Sequence, residues 1–278
     1  MNKLEIEAVK SKIITPKDDL LEVIIKSLRK SKSKLNQGRL CNGDILVISS
    51  KVVAVTQGQV VKINNPQEFD RLVASEADQI ISSTRSPQTS IHAAYANKSS
   101  ANSSPGREFF QQAIIDEVPL TLKNGILIPW AGIDRSNTEK GFAVLWPKDS
   151  FKVAAQLQKE LKKIYKLKKL GIIISDSTCR PLRRGVSGIA LGYAGFKGVN
   201  DLRGHKDLYN NKLKVTQQAV ADNLATAAHL VMGEADECTP FTIISNAPVT
   251  FTDAKINPKD LLIDPKDCLF SPLYGSLL

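Results

Sequence analysis

Short, mainly apolar runs alternate along the chain with longer stretches of helical spacing. The runs have the length of buried strands: Ile45–Ile48, Gly171–Ile174 and Phe241–Ile244. Residues 3–9 alternate loosely, as an edge strand does, while residues 150–167 and Val215–Met232 repeat apolar positions at helical spacing. This order predicts the α/β class: mixed α+β, with mixed sheets, flanking helices and two lobes in one unit.

Polar residues between these runs predict helix starts and turns. Thr15, which precedes a proline, fits an N-cap, so we predict a helix over Leu20–Leu28. Asn124-Gly125 is a strong turn signal and predicts a hairpin over Leu120–Trp130. Val52–Val61 is rich in β-branched residues and predicts further strand.

One internal segment differs in composition from the rest. Thr84–Pro105 is rich in Ser, Asn, Thr, Gln and Ala and has almost no large apolar residue, which predicts a mobile loop. A plain surface insertion and a functional lid both fit. Helical spacing over Glu68–Ile81 precedes it. We predict a single domain over residues 1–278, with a core at about 5–248.

Carboxylates and hydroxyls follow several of the apolar elements. Ser49 and Ser50 follow one predicted strand, while Asp176 and Ser177 follow another. Asp134, Asn137 and Glu234 come directly after, or a few residues after, further elements. Ligands in open α/β sheets lie beyond strand ends, and hard cations prefer oxygen donors. Converging carboxylates would need a cation to relieve their repulsion. The alternative is a strand, a basic turn and a second strand with no ligand.

Three arginines follow the carboxylate at 176 within eight residues: Arg180, Arg183 and Arg184. Guanidinium groups bind carboxylates and phosphates through two parallel hydrogen bonds. The sequence therefore favours phosphate chemistry with a metal at this place. Structural ion pairing of the same arginines is the other interpretation.

Composition and charge limit the kinds of molecule that the protein is expected to bind. The chain has 278 residues and a formal net charge of +10, which favours anionic partners, either nucleic acid or a polyanionic small substrate. Aromatic residues make up only 6% and are not interleaved with the basic runs, which weakens single-strand binding. No apolar run approaches membrane-spanning length, and the four cysteines form no CxxC pair. We expect a reduced, cytoplasmic protein with no nucleic-acid or membrane partner.

Longer motifs resemble a known family. AGIDRSNTEKGFAVLWP, SDSTCRPLRRGVSGIALGYAGFKGVNDLRGHKDLY and AVADNLATAAHLVMGEADECTP are similar to the coenzyme F-420-0:γ-glutamyl ligase family, as is DILVISSKVVAVTQG. The resemblance covers most of residues 5–248. It implies a GTP-dependent ligase that uses Mg or Mn and adds L-glutamate by a γ-linked amide to an acceptor carboxylate, through an acyl phosphate.

The resemblance also implies roles for single residues. Metal ligands would be Asp134 and Asp176 for one ion, with Ser177 and Glu234 for a second. The nucleotide would contact Ser49, Ser50, Lys51, Asn137, Met232 and Gly233. Arg183 and Arg184 would act on the substrate carboxylates. Lys51 is the candidate for a basic role because Val55 stands where one branch of the family has a lysine.

The acceptor is open between two polyanionic molecules, coenzyme F-420-0 and folate. F-420-0 carries a phosphodiester, and the cations that could bind it are Lys197, Arg203 and Lys206. The family resemblance implies a homodimer. The alternatives from other classes are a basic nucleic-acid-binding module and an inactive relative.

Overall fold

The computed structural model describes residues 3–31, 38–82 and 118–274, where strands and helices alternate. The helices are α1 (Leu20–Lys30), α2 (Ser50–Thr56), α3 (Pro66–Glu76), α4 (Ser150–Tyr165), α5 (Val220–Met232) and α6 (Ser271–Tyr274). Short 3₁₀ turns lie at Trp130–Gly132, Pro258–Leu261 and Pro265–Asp267. The predicted loop over Thr84–Pro105 lies outside the described residues. No helix in the described ranges is long and apolar enough to cross a bilayer.

The strands confirm the predicted α/β class, with mixed sheets and flanking helices. They are β1 (Glu5–Val9), β2 (Asp44–Ser49), β3 (Val60–Lys62), β4 (Gln79–Ser82), β5 (Leu120–Lys123), β6 (Ile126–Pro129), β7 (Phe142–Val144), β8 (Leu170–Cys179), β9 (Val186–Ala194), β10 (Val199–Asp201), β11 (Gln217–Ala219) and β12 (Phe241–Ser245).

The chain forms two compact units. The first contains the residues up to Lys62 together with Asp134–Leu262, and the second contains Ile63–Ile133 and the residues from Ile263. In the second unit β4, β5 and β6 form a small antiparallel sheet. Its predicted β5–β6 hairpin is confirmed, and Asn124 and Gly125 both adopt the positive φ that this turn requires.

The first unit is built on a five-stranded sheet in the order β1-β12-β2-β8-β9. The β2–β8 pair is parallel, whereas the other neighbours are antiparallel. The predicted edge strand is confirmed, since β1 pairs only with β12 at one side of this sheet. The carboxyl ends of β2 and β8 therefore point to the same edge.

Both faces of this sheet are covered by helices. On β2, Leu46 and Ile48 face one cluster with residues of α1 and α4, whereas Ile45 and Val47 face another with residues of α5. All four side chains are fully buried. Alternation between two buried faces explains the continuous apolar runs in the sequence.

Helix α5 approaches strand β9 closely because one strand residue is a glycine. A Cβ atom on Gly188 would lie 2.5 Å from backbone atoms of Ala225 in α5. The hydroxyl of Thr226 donates a hydrogen bond to the Gly188 carbonyl at 2.9 Å. Small residues on both elements, Gly188 in β9 and Ala225 in α5, thus permit this close packing.

Four local predictions were wrong at their boundaries or in type. The N-cap of α1 is Asp19, which accepts from Glu22 N at 2.8 Å, while Thr15 lies in the preceding turn. Half of the predicted strand over Val52–Val61 belongs to helix α2, because burial of Val53 outweighs β propensity, and only Val60 and Val61 are strand. The helix predicted to begin at Val215 begins at Val220, after β11. The helix predicted over Glu68–Ile81 ends at Glu76, and β4 follows.

The central strand β8 is longer than predicted. It does not end at Ser175 but runs on to Cys179. Pairing with β2 stops at Ser49↔Ser175, and a register shift between Ile174 and Ser175 accompanies the change of neighbours. Among the described strands, β8 pairs beyond this point with β9 and no longer with β2, so its polar residues stay in strand geometry.

Candidate functional site

The polar residues at the end of the β2–β8 pair lie side by side. Ser49 is directly opposite Ser175 in the parallel register. Ser50 begins α2 and is buried, while Asp176 and Ser177 continue β8 beyond the reach of β2. The predicted hydroxyls and carboxylate are therefore brought together at one edge of the sheet.

Asp176 has a half-buried side chain with two hydrogen-bond donors from the protein. Trp146 Nε1 donates to Oδ2 at 2.5 Å, and Ser177 N donates to Oδ1 at 2.9 Å. Burial raises the pKa of Asp176; the two hydrogen bonds lower it, the charge of Asp134 raises it and His229 lowers it. A cation at this edge of the sheet would relieve the repulsion between the two carboxylates.

The Asp134 carboxylate pairs with a lysine and accepts a hydrogen bond from a backbone N–H of the turn in which it lies. Lys51 Nζ lies 2.6 Å from Asp134 Oδ2, and it also donates to the carbonyl and the hydroxyl of Ser136 at 3.0 Å each. Ser136 N donates to Asp134 Oδ1 at 2.6 Å. Lys51, in the first turn of α2, thus connects the 134–137 turn to the end of β2.

Glu234 is connected to the same edge through a histidine. Its Oε1 lies 3.1 Å from His229 Nδ1, and His229 Nε2 lies 3.1 Å from Ser175 Oγ. The side chain of Glu234 is 52% exposed, whereas that of His229 is 12% exposed. Glu234 is thus tied through His229 to Ser175, the residue that directly precedes Asp176.

The loop after α5 carries the remaining predicted nucleotide residues. Asn137 Nδ2 donates to Ala235 O at 2.6 Å, which joins the 134–137 turn to this loop. Met232 is buried and its carbonyl accepts from Thr239 Oγ1 at 2.5 Å. Gly233 has φ +76°, and a Cβ there would collide with the Glu237 carboxylate. The tight turn at this position therefore requires glycine.

Two of the three clustered arginines lie away from the carboxylates. Arg183 and Arg184 are exposed in the β8–β9 turn, beyond the Cys179↔Val186 pair. Asp176 is three residues before that pair, about 10 Å along the strand. Arg180 Nε donates to Ser187 Oγ at 2.7 Å. Burial raises the pKa of Asp222, and the hydrogen bond from Ala190 N and the charge of Arg180 partly offset that rise. Arg180 therefore has a structural role in the hairpin.

The cations predicted for a phosphodiester also have local settings. Arg203 forms a two-pronged pair with Asp201 in the β10–β11 hairpin, with Nη2 2.6 Å from Oδ2. Lys206 lies opposite Lys212 in the same hairpin. Lys197 is exposed, and its backbone N–H bonds to Thr250 O. Their use by a substrate stays a prediction.

The donor set suits a hard divalent cation. Asp176 accepts two hydrogen bonds, and a carboxylate has about four lone-pair sites, so acceptor capacity remains. Asp134, Ser177 and Glu234 add oxygen donors of the kind that Mg²⁺ and Mn²⁺ prefer. Within the described part of the chain, no three His, Cys, Asp or Glu side chains are gathered tightly enough to form a ready metal centre. The convergence of the three carboxylates on one ion stays a prediction.

Three residues of this edge were not singled out from the sequence. They are Trp146, Ser175 and His229. Trp146 directly precedes Pro147 and ends an apolar run, which is a weak signal for a site. His229 is one of three histidines and lies five residues before Glu234, so its place near the end of a helix offered a usable signal.

Comparison with known proteins gives a consistent result. The sequence profile described as F420-0:Gamma-glutamyl ligase matches residues 8–246. The chain is 34% identical over 223 residues to the coenzyme F420:L-glutamate ligase of Methanocaldococcus jannaschii, covering 79% of this chain and 83% of that protein. It is 34% identical over 237 residues to the enzyme of the same name from Methanothermobacter thermautotrophicus, covering 83% and 84%. A Methanococcus maripaludis relative of that name is 45% identical over 131 residues, 47% of this chain and 52% of the relative.

Proposed function

This chain belongs to the F420-0:gamma-glutamyl ligase family, and from that premise we propose that it joins L-glutamate to an acceptor of the F-420-0 type with GTP and a divalent metal. Family membership confirms the predicted enzyme class, a ligase that forms an amide bond with glutamate. The observation that most supports the finer proposal is that the protein orients both carboxylates, Asp134 through Lys51 and Ser136 N and Asp176 through Trp146 and Ser177 N.

The reaction needs an activated acid because an amine does not displace hydroxide from a carboxylate. In the proposed first step an oxygen of the acceptor carboxylate attacks the γ-phosphorus of GTP, and GDP leaves. In the second step the amine of glutamate attacks the acyl carbon, loses a proton, and releases inorganic phosphate. The protein contributes mainly by positioning the reactants and by placing charges around the transferred group.

The oxygen ligands define where metal would bind. Asp134 and Asp176 would hold one ion, and Ser177 and Glu234 would hold another. A divalent ion bound there neutralises negative charge on the phosphates. Trp146 Nε1 and Ser177 N fix the Asp176 carboxylate by their two hydrogen bonds, so that this ligand is oriented before any substrate arrives.

The nucleotide would lie along the residues between β2 and the loop after α5. Lys51 is the cation nearest to the carboxylates, since it pairs with Asp134 at 2.6 Å. Ser49 is the N-cap residue of α2, and its side chain makes no capping bond to the helix. Asn137 and Ala235 close the other side through their hydrogen bond.

The acceptor and glutamate would bring further carboxylates to the site. Arg183 and Arg184 are placed on the exposed β8–β9 turn, where their side chains are accessible to a substrate. We propose that they bind substrate carboxylates, and that this turn approaches the site when substrate is present. Alanine at both positions should raise the Michaelis constant of the acceptor or of glutamate more than that of GTP.

The test is an acceptor screen with labelled glutamate, GTP and Mg²⁺ or Mn²⁺. Coenzyme F-420-0 is placed first because the relatives carry the name coenzyme F420:L-glutamate ligase, and folate second. Product from folate alone would reverse this order, and product from neither acceptor would refute the substrate class. Equal turnover with ATP would refute the GTP preference and leave the ligase proposal intact.

A triple alanine variant separates the two acceptors further. Replacing Lys197, Arg203 and Lys206 should lower activity with the phosphodiester-bearing acceptor much more than with a folate. Equal losses with both acceptors would contradict a phosphodiester-binding role. The proposal also includes assembly as a homodimer in the cytoplasm, which sedimentation and cell fractionation can check.

A further inference from the structure

Helix α5 carries a histidine whose two ring nitrogens both have partners at the proposed site. His229 Nδ1 lies 3.1 Å from Glu234 Oε1, and Nε2 lies 3.1 Å from Ser175 Oγ. The imidazole is 12% exposed. The chemistry described above assigns it no role, although it joins a proposed metal ligand to the central strand.

The two hydrogen-bond partners of His229 determine which ring nitrogen carries the hydrogen. A carboxylate only accepts hydrogen bonds, so the contact with Glu234 assigns a hydrogen to Nδ1. In the neutral ring Nε2 then accepts from the hydroxyl of Ser175. A chain of hydrogen bonds therefore runs from Ser175 through His229 to Glu234, with each donor facing an acceptor.

One end of this chain is rigid. Ser175 is fully buried in β8, paired with Ser49 on one side and Ala190 on the other, and it directly precedes Asp176. The ring is therefore anchored to the strand residue that directly precedes Asp176, and His229 is one of the groups that lower the pKa of Asp176.

The other end of this chain of hydrogen bonds is the Glu234 side chain, which would be free to move without its hydrogen bond to His229. Glu234 follows Gly233 after the end of α5, and its side chain is 52% exposed. An exposed glutamate samples several rotamers, and fixing it costs conformational entropy. The hydrogen bond from His229 selects one orientation of the carboxylate and ties it to β8 through Ser175.

A serine–histidine–carboxylate chain also resembles the arrangement that activates a nucleophile. Burial excludes this use in the structure, because Ser175 has no exposed surface and its hydroxyl points to the ring within the fold. The arrangement therefore suits orientation of Glu234 better than attack on a substrate.

We propose that His229 is a positioning residue that holds the Glu234 carboxylate in one orientation against strand β8, so that this ligand is preset for a divalent ion. The inference rests on the proposed function, which assigns Glu234 to a metal. Partners of this kind commonly change metal affinity by about 10-fold to 100-fold.

The test measures Mn²⁺ affinity of the full chain without substrates, by electron paramagnetic resonance of free Mn²⁺. His229→Leu removes both contacts and should weaken binding about 10-fold. Ser175→Ala removes the anchor and should weaken binding less. His229→Gln, whose amide can donate to Glu234, should retain more affinity than His229→Leu. His205→Leu, at an exposed position in the β10–β11 hairpin, is the matched control and should bind Mn²⁺ as the unchanged protein does.

A double-mutant cycle separates positioning from direct ligation. If His229 acts through Glu234, His229→Leu should have little further effect in the Glu234→Gln background. Additive losses would overturn the positioning role, because they would show that the ring affects metal independently. Melting temperatures of all variants should be measured beside the affinities. A lower melting temperature with unchanged Mn²⁺ affinity would also overturn the inference and leave a structural tie between β8 and α5.

Failure of the proposed function gives a different result. If Glu234→Gln binds Mn²⁺ as tightly as the unchanged protein, the assignment of Glu234 to metal is wrong, and the positioning role of His229 is wrong with it. If Glu234→Gln weakens binding and His229→Leu does not, only the inference about His229 is overturned.

Discussion

Two aspartates lie at opposite ends of the central strands: Asp44 where β2 begins, and Asp176 just beyond the point where β2 ends. Burial raises the pKa of both, yet the two carboxylates have different surroundings. Asp44 starts β2 and accepts from Cys41 N and from Ser245 Oγ, both at 2.7 Å. Its donors come from the preceding turn and from the neighbouring strand β12. Asp44 thus ties the start of β2 to the preceding turn and to the end of the antiparallel strand β12.

Asp176 lies at the opposite edge and is influenced by other titratable groups in addition to its donors. Burial raises its pKa, Asp134 raises it further, and its hydrogen bonds and His229 lower it. The Asp44 edge even has a cavity of about 390 Å³, lined in part by Asp44, Lys169 and Phe251. The comparison teaches that the partners of a buried carboxylate distinguish a structural group from a chemical one better than burial or a cavity does.

The largest effect is expected from Asp176→Asn. Activity should fall by roughly 10²-fold to 10³-fold, the loss typical of removing one group that stabilises transition-state charge. The free energy of unfolding at neutral pH should not fall, because the ionised form of a carboxylate with a raised pKa opposes folding. Glutamate incorporation and urea unfolding measure the two quantities, and a large loss of stability would place Asp176 with Asp44.

Asp44→Ala should give the reverse pattern. The backbone N–H of Cys41 and the hydroxyl of Ser245 lose these hydrogen bonds, which costs about 1–3 kcal/mol of unfolding free energy. Turnover per folded molecule should stay unchanged. Urea unfolding and active-site titration check this, with Asp267→Ala at an exposed position as control. A loss of turnover in the folded fraction would contradict the structural role.

The variant Lys51→Met tests whether the lysine beside the Asp176 edge binds the nucleotide. Loss of one charge-assisted hydrogen bond to the nucleotide should raise its Michaelis constant about tenfold, with a smaller change in the turnover number. Steady-state kinetics with varied GTP measure this. Lys152→Met, on the exposed face of α4, is the matched control. An unchanged Michaelis constant would limit Lys51 to its pair with Asp134.

The smallest effect concerns pH. Burial raises the folded-state pKa of Asp44, so its contribution to stability is fully present below the unfolded pKa of about 3.9 and is lost as the pH rises through the folded pKa. Asp44→Asn does not titrate there. The unfolding free energy of the unchanged protein minus that of Asp44→Asn should therefore decrease between about pH 4 and pH 7. A constant or rising difference in urea unfolding would contradict the raised pKa.

Sequence patterns predicted the buried strands because burial on both faces requires continuous apolar residues. β2 and β12 were predicted within one residue at each end, and Gly171–Ile174 lies inside β8. The β5–β6 hairpin was predicted from its Asn-Gly turn. Helix α2 was missed since three of its seven residues are valines, and only packing against the sheet decides its type.

The sequence predicted which residue types form the candidate site, but not which of these residues contact one another. Asp134, Asp176 and Glu234 were identified as carboxylates at element ends. The role of His229 was not, because its partner Ser175 is 54 residues away in sequence. The continuation of β8 past Ser175 was also missed. The polar residues at 175–177 resemble the end of a strand in the sequence, because the sequence does not show that β8 continues after its pairing with β2 stops.

The pairing of β1 with β12 also has a consequence for how the protein folds. Glu5 pairs with Ser245, so the edge strand has no neighbour in its sheet until the ribosome has made a partner more than two hundred residues later. The β8–β9 hairpin is local by contrast and can form soon after its synthesis. Because loop closure slows non-local pairing, we expect the sheet to grow outward from β8–β9 and to add its first-made strand last.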